Sequence, residues 1–414
     1  GLGDVYKRQV HLSNNIEVKE PLKQFTDPAK DFVHSIVPDD KFISSILDNI
    51  GAHTLTFPLL ERNLTTIDAN VMWPLFTGGK RIFATRIGNR MVDLAKAGRE
   101  EAGATLQSEL VETYYALRLA QRVVDVREQT FLGLQKHYRN AMKLEENGMI
   151  NKAERLFAQV TMDEARRELE SARKDLNVAQ NALKVLLNVE DAISINPSSP
   201  LFMNHDLPDE LYFKNLVSTG SYIVSKLRIQ EAMADNQLKI SKSAYIPTIV
   251  LFGKQTLYAE NLPKNLMPRT LVGVGFTWNI FDGLNREANI RQTRLTKQTL
   301  QLGREKAQNE LGVLVDKLYS EIQNAKDDVA ALNTTIEMSR ELVRIRKKSF
   351  QEGMATSTDV IDAETMLSKV QIAFLLAYYK YDVALASLLS TCGMPESFWQ
   401  YSRTGQTENF IFGK

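Results

Sequence analysis

Asp359 and Asp362 stand three residues apart, so on a helix they share one face. By themselves, such carboxylates favour a helix N-terminus. The other residues with chemical reach assemble nothing. His11, His34, His53, His137 and His205 have no metal-ligand spacing to one another, to a cysteine or to a carboxylate pair. Cys392 is the single cysteine, which excludes an intramolecular disulfide and a cysteine-based zinc site. Gly78-Gly79-Lys80 is like the end of a phosphate loop, but the earlier glycine is missing and Arg81 replaces the magnesium-holding Ser or Thr. Gly273-x-Gly275 lacks the third glycine of a dinucleotide motif and reads as small residues facing a crowded interior. No Ser/His/Asp or Cys/His constellation is suggested, so neither an enzyme nor a cofactor is expected. The net charge of +1 gives no electrostatic case for nucleic acid. No run of about 18 apolar residues occurs, so no membrane-spanning helix is expected.

The elements that carry these residues come in two copies. At a constant offset of 205, Trp73 maps onto Trp278, Phe76 onto Phe281, Gly78 onto Gly283, Gly148-Met149 onto Gly353-Met354, and Leu183 onto Leu388. A register that long without a gap means one structural unit used twice. No proline lies between Pro74 and Pro197 or between Pro268 and Pro395, and both stretches are rich in helix formers. Apolar stripes run through Leu106, Leu110, Tyr114, Leu117 and Val124, and through Leu311, Val315, Leu318, Ile322, Val329 and Leu332. Glycine after a polar run is a C-cap signal, and Thr356-Ser357-Thr358-Asp359 reads as a new helix start. Each unit is therefore a helical hairpin with Gly148 or Gly353 at its tip. The rising arm, about residues 80 to 145, would be about 100 Å long.

A strand precedes each hairpin. Residues 66–73 and 272–279 alternate apolar with Asp, Asn, Thr or Gly, and Trp73, Phe76, Trp278 and Phe281 cluster at the ends. That pattern fits a membrane barrel strand, or a sheet covered by helices on one side. Second strands are expected over Tyr245–Tyr258 and Val10–Val18, and a helix over about Asp209–Lys242. The fold class expected is α+β, mainly α. The division reads as 1–9 a non-native tail, 10–76 the first strands with a long loop, and 77–190 the first hairpin. It continues with 191–244 a linker and helix, 245–281 the second strands, 282–392 the second hairpin, and 393–414 a C-terminal tail. The chain reads as starting inside the first copy, so an export signal could have preceded it.

Two strands and a long helical hairpin, used twice, resemble the TolC-like outer-membrane efflux and secretion channels. The stretch from Ser349 to Ala363, with Phe350, Gly353 and Asp359-Val360-Ile361-Asp362-Ala363, looks like that family's second hairpin tip. Trp73-Pro74-Leu75-Phe76-Thr77-Gly78 and Trp278-Asn279-Ile280-Phe281-Asp282-Gly283 look like its strand-to-helix joins. The resemblance implies a homotrimer with a shared transmembrane barrel, embedded in outer-membrane lipid, and a periplasmic helical tunnel. It implies a passive exit duct for efflux or type I secretion, working with a periplasmic adaptor (membrane fusion protein) and an inner-membrane pump. By the same resemblance Asp359 and Asp362 line the periplasmic aperture and, crowded in a ring, raise some carboxyl pKa values. Glu154 is the weaker counterpart in the first tip. Phe350 and Ala355 stand where tyrosine and arginine are often found, so a closed lock here would use other groups or packing. Gly148-Met149 and Gly353-Met354 would meet the adaptor. The competing readings are a soluble helical-hairpin scaffold and a periplasmic adaptor, the latter disfavoured by two equivalent hairpins. Exported substrate and pump are not readable.

Overall fold

A computed structural model describes residues 65–190, 195–260 and 268–408. The strand expected at Val10–Val18, the tail at 1–9 and His11, His34 and His53 lie outside the described residues. The chain is predominantly helical. In order come β1 (Thr65–Phe76), α1 (Lys80–Glu146), α2 (Lys152–Leu187), β2 (Phe202–Met203), α3 (Glu210–Gly220), α4 (Tyr222–Lys242) and β3 (Thr248–Glu260). Then follow β4 (Thr270–Thr277), α5 (Asn285–Gln351), α6 (Ser357–Thr391), α7 (Phe398–Thr404) and β5 (Gln406–Thr407). The proline-free stretches are the long helices: α1 and α5 each hold 67 residues and both begin and end 205 positions apart.

Two compact units divide the chain, one of residues up to Thr85 with Gln237–Thr293, the other of Arg86–Asn236 with Arg294–Lys414. The first contains an antiparallel sheet in the order β1-β3-β4. Its register sets Asp68 opposite Thr256 and Phe252 opposite Gly273. Asp68 accepts from Thr256 Oγ1 at 2.7 Å and pairs with Lys254 Nζ at 2.9 Å. The opposite face presents Val71, Trp73, Val272, Val274 and Phe276 to solvent. A Cβ on Gly273 would lie 2.8 Å from the Phe252 ring across the strand pair, so a small residue suits this position. At the joins the chain turns through paired left-handed residues, Gly78 and Gly79 (φ 60° and 85°) and Gly283 and Leu284 (both φ 66°). Gly78 is doubly constrained, since a Cβ would sit 2.9 Å from that of Ile246. Trp73 and Trp278 are both exposed, so neither is a core anchor here.

The second unit holds the hairpins. On α5 the buried face repeats in sevens through Val315, Ile322, Ile336, Val343 and Phe350, a coiled-coil seam. One position of the stripe expected on α1 is corrected: Leu117 is buried as expected and Tyr114 packs on the core, but Leu106 is exposed, and the buried residues nearest it are Ala104 and Val111. The single helix expected over Asp209–Lys242 is two, parted at Ser221, whose backbone is extended. At this break Gly220 lies against the Cys392 carbonyl, where a Cβ would come within 2.6 Å of the oxygen. The stretch expected as a tail folds in, with Phe398 buried among Tyr115 and Phe202 and with β5 paired to β2. One correction concerns hydropathy. α6 is long and apolar enough to cross a membrane, yet most of that window is buried as the core helix of this unit.

Candidate functional site

Both hairpin tips close with the same bonds. Gly148 N donates to Glu145 O at 2.8 Å and Met149 N to Leu144 O at 2.8 Å; Gly353 N donates to Phe350 O at 3.1 Å and Met354 N to Ser349 O at 2.8 Å. This pairing ends a helix on a left-handed residue, and Gly148 and Gly353 have φ 72° and 74°. The falling arms start on side-chain caps. Asn151 accepts from Glu154 N at 2.9 Å. Thr356 and Asp359 form a reciprocal box: Asp359 N donates to Thr356 Oγ1 at 3.3 Å and Thr356 N to Asp359 Oδ2 at 2.9 Å. Arg346 Nη1 adds a contact to Asp359 Oδ1 at 3.2 Å. The Thr356 backbone N–H, then its hydroxyl, hold the Asp359 carboxyl below its ordinary range, with Arg346 helping.

The two tips meet around one cavity of about 280 Å³. Met149 and Glu154 line it from the first hairpin; Phe350, Gly353, Met354, Ala355, Thr356 and Asp359 line it from the second. Most of the tip residues singled out in the sequence therefore converge. Gly148 shapes its turn without lining the cavity, and Asp362 is exposed one turn further along α6. Met149 and Met354 are 60% and 71% exposed, so neither tucks into the coiled-coil core. Phe350 is the opposite, 2% exposed and 4.6 Å from the His137 ring, with Val360 and Ile361 in the same cluster. Ala355 packs against that cluster. At this tip packing occupies the positions where polar groups were sought.

Sequence reasoning missed what lies behind the cavity. His137 Nε2 is 2.7 Å from Ser357 Oγ, and both side chains are buried. Lys347 pairs with the buried Glu364, whose carboxylate lies against Gly133, where a Cβ would come within 2.7 Å of Oε1. Burial first, and the Lys347 charge second, push His137 down to about 4 from 6.5. The unfolded chain binds this proton more readily, so the neutral ring stabilises the fold fully above pH 6.5 and that part is lost as pH falls towards 4. The expected loss reaches about 3 kcal/mol. Unfolding of the purified protein at neutral and acid pH checks it, and His137→Gln is expected to flatten the difference. No local spacing could have revealed the pair, because 220 residues separate its members.

The outer membrane efflux protein family model matches residues 61–189 and 223–394. The chain is 23% identical over 295 residues to outer membrane efflux protein BepC of Brucella suis biovar 1 (strain 1330), covering 68% of this chain and 62% of that protein. It is 22% identical over 293 residues to alkaline protease secretion protein AprF of Pseudomonas aeruginosa, covering 69% and 60%. The chain thus spans about 60% of the length of these curated relatives. Among solved structures it is similar to the outer membrane protein VceC of Vibrio cholerae, with TM-score 0.69 and 15% identity over 80% of each chain. It is also similar to the open state of the MtrE outer membrane channel of Neisseria gonorrhoeae, with TM-score 0.68 and 15% identity over 94% of this chain and 96% of that one.

Proposed function

The chain belongs to the outer membrane efflux protein family, and from that premise we propose that it is the passive outer-membrane exit duct of a tripartite efflux or type I secretion system. The family match over both hairpins and the three strands of the β1-β3-β4 sheet carries this reading. In it, β1, β3, β4 and a further strand from the first copy join those of two other copies in one barrel. The sheet supports this arrangement, since among the described strands it ends at β1 and β4, and open edges cannot face lipid. The hairpins form the periplasmic tunnel. The cavity between the tips, with exposed Met149 and Met354 at its mouth, receives the helical hairpin of a periplasmic adaptor coupled to an inner-membrane pump; adaptable methionines suit such a contact. The test is the oligomeric mass of the full-length protein extracted from outer membranes in mild detergent. A trimer is expected, and a detergent-independent monomer or dimer would remove the duct in favour of a scaffold.

Within this reading, Asp359 and Asp362 ring the aperture. Asp359 is already committed to its cap and to Arg346, so the exposed Asp362 is the freer cation ligand. Asp362→Asn is expected to weaken block by divalent cations in bilayer recordings more than Glu154→Gln does. Unchanged block in both variants would remove the acid ring.

A further inference from the structure

We infer that the two strand-to-helix joins form a docking surface for anionic glycerophospholipid, holding the headgroups of the bilayer leaflet beside them. This rests on the barrel reading and adds a lipid chemistry to it.

The starting observation is Leu284. It takes a left-handed φ of 66°, which costs a non-glycine residue about 1–2 kcal/mol. Its counterpart in the first join is Gly79, so the turn itself does not require leucine. Nor does the side chain fill a core, being 65% exposed. Beside it Ile280 and Phe281 are 73% and 75% exposed. A strained backbone that holds an apolar side chain outward is explained by something apolar outside. The first join is built alike, with Leu75, Phe76 and Ile82 exposed.

Charge supplies the second, independent observation. Between residues 77–85, 237–247 and 278–293 the only acids are Asp282 and Glu287. Both are engaged within the join, Asp282 with Arg286 Nε at 3.1 Å and Glu287 accepting from Tyr245 Oη at 2.6 Å. Arg286 is itself spent on the carbonyls of Asn279 and Ile280, at 2.8 and 2.7 Å, and lies over the Tyr245 ring. The charges presented outward are therefore basic, notably Lys80, Lys242 and Arg291, all exposed. α1 also starts without an acid in its first turn, so that turn itself offers no negative charge to its N-terminal dipole or to Lys80. Exposed aromatic and aliphatic groups rimmed by cations of one sign match a bilayer interface bearing anionic headgroups.

The test uses the full chain purified from membranes in a non-ionic detergent, with phosphatidylglycerol or phosphatidylcholine added and bound lipids counted by native mass spectrometry. Phosphatidylglycerol is expected to be retained preferentially. Changing Lys80, Lys242 and Arg291 to glutamine should reduce that preference by about fivefold for each charge removed. Oligomeric mass and circular dichroism of each variant report folding. If the triple variant does not fold, added salt does the same work on the unaltered protein and should erase the preference. A detergent-dependent oligomer that binds both lipids equally, or whose preference survives salt, overturns the inference and leaves the barrel reading standing. A chain that is soluble without detergent overturns the barrel reading as well.

Discussion

Gly393→Asn is expected to cost about 3 kcal/mol or more, while Asn188→Gly, at the corresponding place in the first hairpin, shifts stability by less than about 1 kcal/mol. Both residues end a falling arm in the left-handed region, at φ 76° and 50°. Both are followed by the same capping bond, Met394 N to Leu389 O at 2.8 Å and Val189 N to Lys184 O at 3.1 Å. Backbone conformation alone would therefore admit asparagine at either place. What differs is the neighbour. A Cβ on Gly393 would overlap the carbonyl oxygen of Gly220. The α3–α4 break and the end of α6 meet backbone to backbone there, with no side chain between them and none that can yield. Urea or thermal unfolding of the detergent-solubilised protein measures both variants. Equal small losses would show that φ, and not the contact, governs the position.

The second large effect is expected from two buried carboxylates that behave differently. Glu408 is fully buried and accepts from two guanidiniums, Arg118 Nη2 at 2.9 Å and Arg122 Nε at 3.2 Å. Removing it as Glu408→Ala leaves both cations facing a buried gap and is expected to cost about 3–5 kcal/mol. Asp382 is equally buried but has a single long bond, from Phe202 N at 3.4 Å. Burial, reinforced by the charge of Glu408, raises its carboxyl well above the ordinary 3.8. The native state therefore holds this proton more tightly than the unfolded chain, and stability falls as pH rises above 3.8 towards the folded value. Asp382→Asn keeps an acceptor for Phe202 and has no charge to bury. At neutral pH it is expected to be at least as stable as the unaltered protein and to lose that slope. A large loss in Asp382→Asn, comparable to that of Glu408→Ala, would mean that the acid serves as an ion after all.

The contrast between these sites and the hairpins shows what a sequence reveals. Helix ends were legible because their causes are local: absent proline, a glycine that alone tolerates positive φ, and a Thr-to-Asp cap three residues long. The tip residues were legible for the same reason, and their convergence on one cavity followed from two hairpins of equal length. Leu106 misled because leucine on a three- and four-residue stripe outweighs alanine in any pattern, whereas the close helix contact there favours Ala104. β2 and β5, two residues each, are too short to display a period. Gly220, at the break, meets its neighbour at Cys392, and His137, Asp382 and Glu408 owe their environments to residues more than 150 positions away. Chemistry made by distant partners leaves no trace in spacing.

Those same separations bear on how the molecule forms. Each hairpin can zip up as it emerges, since its contacts are close in sequence. The layer around Phe202 cannot, because it needs Tyr381 and Phe398, and Arg118 must wait for Glu408, 290 residues later. Contacts of that order make folding slow and leave apolar surface uncovered until residue 408 has been made. A chain cut short before residue 408 would hence carry finished helices and an unfinished middle, a species for chaperones and proteases to clear.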